Sequence, residues 1–368
     1  MKAPERIPEE TKTRLTHIDL LESLAIFFVL AYHGCLMDSD FIARPEGKQY
    51  FQYFARMILS TCVPMFLFVN GYLLFSRPLD IRKHVKKMIR LTVVTCIWIL
   101  LLLVIMQPIY GEYLTWEQIG EQFWYLKMDW NNHLWYMGTL ICLYVFFPVM
   151  KQTFDTNRSL FYWFTAICAV LTLGNTLINQ FVTVFNYVVL HKVEVYQGFN
   201  FFHMFNPFQY TIKYAIVYFC AGGIAWAWQE RIEAIPLRRR NGIALAGLAV
   251  GCILLGILGI GYSILTKTWV DGVFSGYDTV FTFWNVLCLF VLSLNWKKDW
   301  KLLRLISGNT LGIYFIHDVF NRMLRPYAAA VPGMKTLPGT VLYAAALLMI
   351  CLCVCLVIKK IPVLKKLI

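Results

Sequence analysis

Charge is what this 368-residue chain has least of. Asp, Glu, Lys and Arg make up 15% of it, and 59% of its residues are hydrophobic. A soluble domain carries about 25% charged residues, so a water-soluble globular fold is excluded. Other absences narrow the chemistry. No glycine-rich phosphate or dinucleotide loop and no Gly-x-Ser-x-Gly elbow occurs, which removes P-loop, Rossmann and α/β-hydrolase readings. The seven histidines are scattered with no pair four residues apart, so no helix-borne metal site is expected. Neither an internal repeat nor a Ser/Gly-rich linker divides the chain. The cysteines fall mostly within apolar runs (Cys62, Cys96, Cys142, Cys168, Cys220, Cys252, Cys288), where they read as small apolar residues rather than a disulfide framework. In CLCVC at 351–355, a spacing of two turns neighbouring thiols to different sides of a helix, which favours packing over metal binding.

What the chain does have is apolar runs, many of them about 18 residues or more, each long enough to cross a bilayer. Ten spans are predicted, at 16–37, 52–75, 88–107, 132–150, 159–180, 210–229, 241–265, 277–296, 304–325 and 338–358. The expected fold is an all-α polytopic membrane bundle in the lipid bilayer. It has a tail at 1–15, one membrane domain at 16–358 and a basic tail at 359–368. The polar start is too long for a cleavable signal peptide. A net charge of +13 suggests nucleic acid, yet the cations gather in short loops between spans, so no nucleic-acid partner is expected. Of the 34 Lys and Arg residues, 24 lie on one side of this arrangement and six on the other, which places both termini in the cytoplasm. The longer outside segments, 108–131 and 181–209, are rich in Trp, Tyr, Phe and Asn. Each suits either an outward cleft or an aromatic belt.

Ionisable groups inside a span are costly and point to function. The first span carries Asp19, Glu22 and His33. At about 100° per residue all three share one face, with Glu22 about 16 Å from His33 along the axis. His33 is the natural general base for a hydroxyl at neutral pH. An interfacial histidine and an Asp19 helix cap are the plainer alternative. His317 sits within YFIHDVF in the outer half of a late span, either to position an acceptor or to bond a neighbouring helix. His133 and Trp135 open the fourth span on the outer side, where Trp is common. Asn70, in the second span, reads chiefly as interhelical glue. Arg82, Lys83, Lys86, Lys87 and Arg90 form a basic cluster suited to phosphates, although topology alone also puts cations there.

The run IDLLESLAIFFVLAYH resembles the opening of the membrane acyltransferase-3 family, an Asp-x-Leu-Arg motif followed by histidine about three turns on. VPMFLFVNGYLLF, DIRKHVKKMIRL, HLWYMGTLICLY and GNTLGIYFIHDVF resemble later segments of the family, in order. The resemblance implies a bacterial inner-membrane O-acyltransferase that moves an acyl group, usually acetyl from acetyl-CoA, to a hydroxyl of a cell-surface or lipid-linked glycan. It makes His33 the essential histidine. It gives the basic segment, with Lys86 and Arg90 at the family's paired-arginine spacing, the donor. Glu22 stands where the family has arginine. A non-catalytic glycan exporter, or a binding or sensing module on the same fold, is the alternative that this reversal of charge leaves open.

Overall fold

The computed structural model describes residues 14–111, 113–125, 131–200, 213–362 and 364–368. Most of the 1–15 tail, Lys127, residues 201–209 and the start of the predicted 210–229 span lie outside the described residues. Among those described, every regular element is helical. The helices are α1 (Thr16–His33), α2 (Gly47–Arg56), α3 (Cys62–Phe75), α4 (Ile81–Tyr110), α5 (Trp116–Tyr125), α6 (Trp135–Thr156), α7 (Arg158–Ala169), α8 (Asn175–Val188), α9 (Ala215–Glu233), α10 (Leu237–Thr266), α11 (Val280–Ser293), α12 (Lys301–Ser307), α13 (Thr310–Ala330) and α14 (Leu337–Ile358).

Several helices join into longer rods. A tighter turn at Met57–Thr61 links α2 to α3, and a widened turn at Val170–Gly174 links α7 to α8. Among the described residues, six helical stretches are long and apolar enough to cross a membrane: Gly47–Phe75, Ile81–Ile109, Asn132–Thr156, Arg158–Val188, Leu237–Thr266 and Leu337–Ile358. The difference from ten has physical reasons. Helices α1, α9 and α13 carry polar groups because they pack among other helices, and the solvation cost that keeps lipid-facing surface apolar is relieved there. Helix α11 has 14 residues and spans about 21 Å, short of a hydrocarbon core of about 30 Å. The predicted 304–325 run is two helices, broken at Gly308–Asn309 between α12 and α13.

Local chemistry sets the helix ends. Asp80 caps α4 by accepting from the Lys83 N–H (3.1 Å), so the basic segment lies inside the helix rather than before it. Gly111 ends α4 with a left-handed φ of 68°, which glycine tolerates. Thr336 caps α14 and Thr279 caps α11.

At the centre, α3 crosses α9 at glycines. A Cβ at Gly71 would lie 1.8 Å from the Phe219 carbonyl oxygen, and one at Gly222 would lie 2.0 Å from that of Phe68. Small residues at a crossing let two backbones meet directly. Helix α1 lies against α3, α11, α12, α13 and α14. Its walls are therefore helices on several sides, and that position gives its polar ends neighbours other than lipid.

Candidate active site

Each end of α1 has its own polar surroundings. At the first, Arg14 meets Asp19 through two N–H bonds (2.5 and 2.9 Å), and the Ser307 hydroxyl donates to the same carboxylate (2.6 Å). Asp19 thereby ties α1 to α12 with both oxygens engaged. It is not a helix cap, because Leu15 occupies that position with no side-chain bond.

Glu22, one turn on, is half-buried. Among the described residues it has no hydrogen-bond or ion-pair partner. Arg14, Lys87 and Arg77 act on it through their fields, as does Asp19.

At the other end, α1 stops at His33 and Gly34. The His33 carbonyl accepts from the Asn321 side chain (3.1 Å), whose own oxygen accepts from the Tyr343 hydroxyl (3.1 Å). This latch fixes the end of α1 on α13 and α14. The His33 ring then meets the His317 ring at 5.2 Å between centroids, and His317 meets His133 at 5.2 Å. Three helical segments thus bring three histidines together. Nδ1 of His317 is 2.6 Å from the Tyr314 carbonyl oxygen, which can only accept. That nitrogen therefore carries the proton, and Nε2 is an acceptor with no partner among the described residues. Both ring nitrogens of His133 are buried without a partner among the described residues, while its carbonyl accepts from the Tyr314 hydroxyl. Buried imidazole nitrogens without hydrogen-bond partners are costly unless a ligand or water uses them.

His33 and His133 line a cavity of about 290 Å³ together with Trp135, Tyr136, Asp318 and Arg322, while His317 is buried behind them. Arg322 and Asp318 form an ion pair (2.6 Å), placing a guanidinium in the lining beside the histidines. A second cleft of about 500 Å³ lies on the far side of Tyr32 and His33, which line both spaces. There the Tyr32 hydroxyl donates to Asp271 (2.7 Å), and Arg56 pairs with the same carboxylate (3.2 Å).

The basic segment does not form one cluster. Lys83 pairs with Asp80 at the helix start. Arg82 and Lys86 share one flank of α4 with Ile81, Val85 and Ile89. Arg90 donates to the Lys366 carbonyl (3.4 Å). Lys87 alone turns into a polar seam: its ammonium donates to the Tyr144 hydroxyl (3.2 Å), which donates to Asn70 (3.2 Å), which donates to the Tyr136 hydroxyl (3.3 Å) in the histidine cavity. Asn70 is interhelical glue between α3 and α6, and it is also one step of this seam.

Sequence reasoning missed Tyr32, Arg56, Asp271, Asp318 and Arg322. Asp318 and Arg322 carried a readable signal, opposite charges four residues apart on a helix. Arg56 carried another, a cation within a predicted span. Asp271 lies in a loop, where no periodicity marks it. Among the described residues no group of His, Cys, Asp and Glu is arranged to hold a metal ion.

No curated protein and no solved structure is a significant match to the chain. The profile of the acyltransferase-3 family, described as an acyltransferase domain, matches residues 15–360. That match takes in α1 to α14 and both cavities. With a buried histidine cluster inside a helical membrane bundle and a family match over nearly the whole length, the chain belongs to the acyltransferase-3 family of membrane acyltransferases.

Proposed function

We propose that the protein moves an acyl group, acetyl in the first instance, from cytoplasmic acetyl-CoA to a hydroxyl of a cell-surface or lipid-linked glycan. In this reading it is a ten-pass protein of the bacterial inner membrane with both termini in the cytoplasm. The observation that carries the proposal is the place of His33, in the shared wall of two cavities and with its ring against that of His317. A base there can serve a donor on one side and an acceptor on the other.

His33 takes the proton of the acceptor hydroxyl as the oxygen attacks the thioester carbonyl. Arg322, in the cavity wall, faces the negative charge that gathers on that carbonyl oxygen. When the carbon–sulfur bond breaks, His33 returns the proton to the departing thiolate. His317 and His133 hold the His33 ring and the reacting groups in register, and Trp135 closes the cavity. Lys87 and the seam through Tyr144, Asn70 and Tyr136 supply hydrogen-bonding groups along the donor's route. Arg82, Lys83, Lys86 and Arg90 attract its phosphates from around the start of α4. Glu22, beside Lys87 on that route, holds the place of the family's arginine and limits how many anionic groups pass it.

The test is release of CoA thiol and labelling of glycan by purified protein in vesicles supplied with acetyl-CoA. His33→Ala is expected to lower product formation by about 10²–10⁴-fold with thermal stability unchanged. Product formation that survives the substitution overturns the reading and favours transport or binding.

A further inference from the structure

His33 and Tyr32 also line the 500 Å³ cleft. Its size falls within the range of about 300–1,000 Å³ usual for small-molecule sites. We propose that it is the acceptor subsite and that it selects an uncharged, polyhydroxylated acceptor. This rests on the acyl-transfer reading, since His33 joins the cleft to the donor cavity.

The cleft is a built site. Arg56 is 6% exposed, deep for a cation. One of its terminal nitrogens donates to the Ser39 hydroxyl (3.2 Å) and the other to Asp271 (3.2 Å). Its Nε is buried with no acceptor among the described residues. The guanidinium stands 5.0 Å from the Trp269 ring centroid and 6.0 Å from that of Tyr32. Trp269 is itself fixed by its Nε1–H bond to the Ser39 carbonyl (2.9 Å). A held donor, a held carboxylate and an aromatic ring therefore converge next to the base.

Charge selects the ligand. Asp271 is neutralised by Arg56 and Asp38 by Arg44, while Asp40 accepts two backbone N–H groups (3.1 and 2.9 Å). Arg325 gives one bond to the Cys35 carbonyl (3.2 Å) and pairs with no carboxylate among the described residues. Three carboxylates and two guanidinium groups thus line the space. A carboxylated acceptor would leave water to face Asp38, Asp40 and Asp271. An amino sugar would find each of these carboxylates already engaged and would face Arg56 and Arg325. Hydroxyl groups both donate and accept, and they match paired charges without adding one. The Arg56 guanidinium, fixed in the cleft wall by Ser39 and Asp271, then orients the hydroxyl ring, and His33 takes the proton of the hydroxyl nearest the wall.

The experiment measures binding to the full chain in lipid nanodiscs by calorimetry, with no donor present. The probes are three trisaccharides: maltotriose (uncharged), trigalacturonic acid (anionic) and triglucosamine (cationic). Maltotriose is expected to bind at least about tenfold more tightly than either charged trisaccharide. Arg56→Lys, which keeps the charge and loses the planar fork, is expected to weaken it about tenfold. Trp269→Ala does the same and serves if the Arg56 variant fails to fold. The proposal is overturned if no trisaccharide binds, if a charged one binds as tightly, or if maltotriose binding is untouched by a folded variant. Failure of the acyl-transfer reading registers separately, as the absence of thiol release from acetyl-CoA by the wild-type protein.

Discussion

The two ends of α1 carry the same kind of residue and meet different fates. At the Asp19 end, both carboxylate oxygens have partners, a guanidinium and a hydroxyl that ties α1 to α12. At the His33 end, imidazole nitrogens of His133 and His317 are buried without a partner among the described residues, and two cavities share His33 in their walls. A satisfied polar group inside a bundle fastens helices together. An unsatisfied one, held in place by its neighbours, is kept for a ligand. Glu22 sits between these cases, half-buried and unpaired among the described residues, and for that reason it belongs with the chemistry more than with the fastening.

Substitutions can break this contrast, and the largest effect is expected at the chemical end. His33→Ala should reduce glycan acylation by about 10²–10⁴-fold while leaving the melting temperature where it was; a large fall in stability would instead make His33 a fastening residue. Next comes the α3–α9 crossing, where Gly222→Ala drives a methyl group into the Phe68 carbonyl. It should cost about 1–3 kcal/mol in thermal or denaturant unfolding, and a neutral result would mean that the two backbones are not in contact. Asp19→Ala should cost about 1–2 kcal/mol by removing the acceptor shared by the Arg14 guanidinium and the Ser307 hydroxyl, reduced because Arg14 is partly in solvent. Its folded fraction should acylate at the wild-type rate, and a specific loss of turnover would move Asp19 to the chemical side. The smallest effect is expected from Asp80→Ala, a slight fall in the unfolding midpoint from the lost helix cap.

Much of the site was legible, and the parts that were not share a cause. His33, His133 and His317 stand out because ionisable groups are rare in apolar runs, and each falls in a segment that resembles the family. Their convergence was not legible, since it depends on the latch between His33, Asn321 and Tyr343 that seats α1 on α13 and α14. The basic segment misled in the opposite sense. Five cations within nine residues read as one cluster, but inside a helix consecutive residues point in different directions, so only Lys87 reaches the seam. Arg56 and Asp271 lie 215 positions apart in the chain, and no local pattern pairs them.

The sequence by itself determined that the chain is a helical membrane protein, because apolar runs of this length and frequency have one stable solution in a bilayer. It also determined which few polar residues must live inside that apolar setting. Tertiary structure alone decided which of them are spent on holding helices together and which face empty space. That choice depends on what stands opposite each side chain, and a neighbour on another helix is set by packing rather than by spacing along the chain.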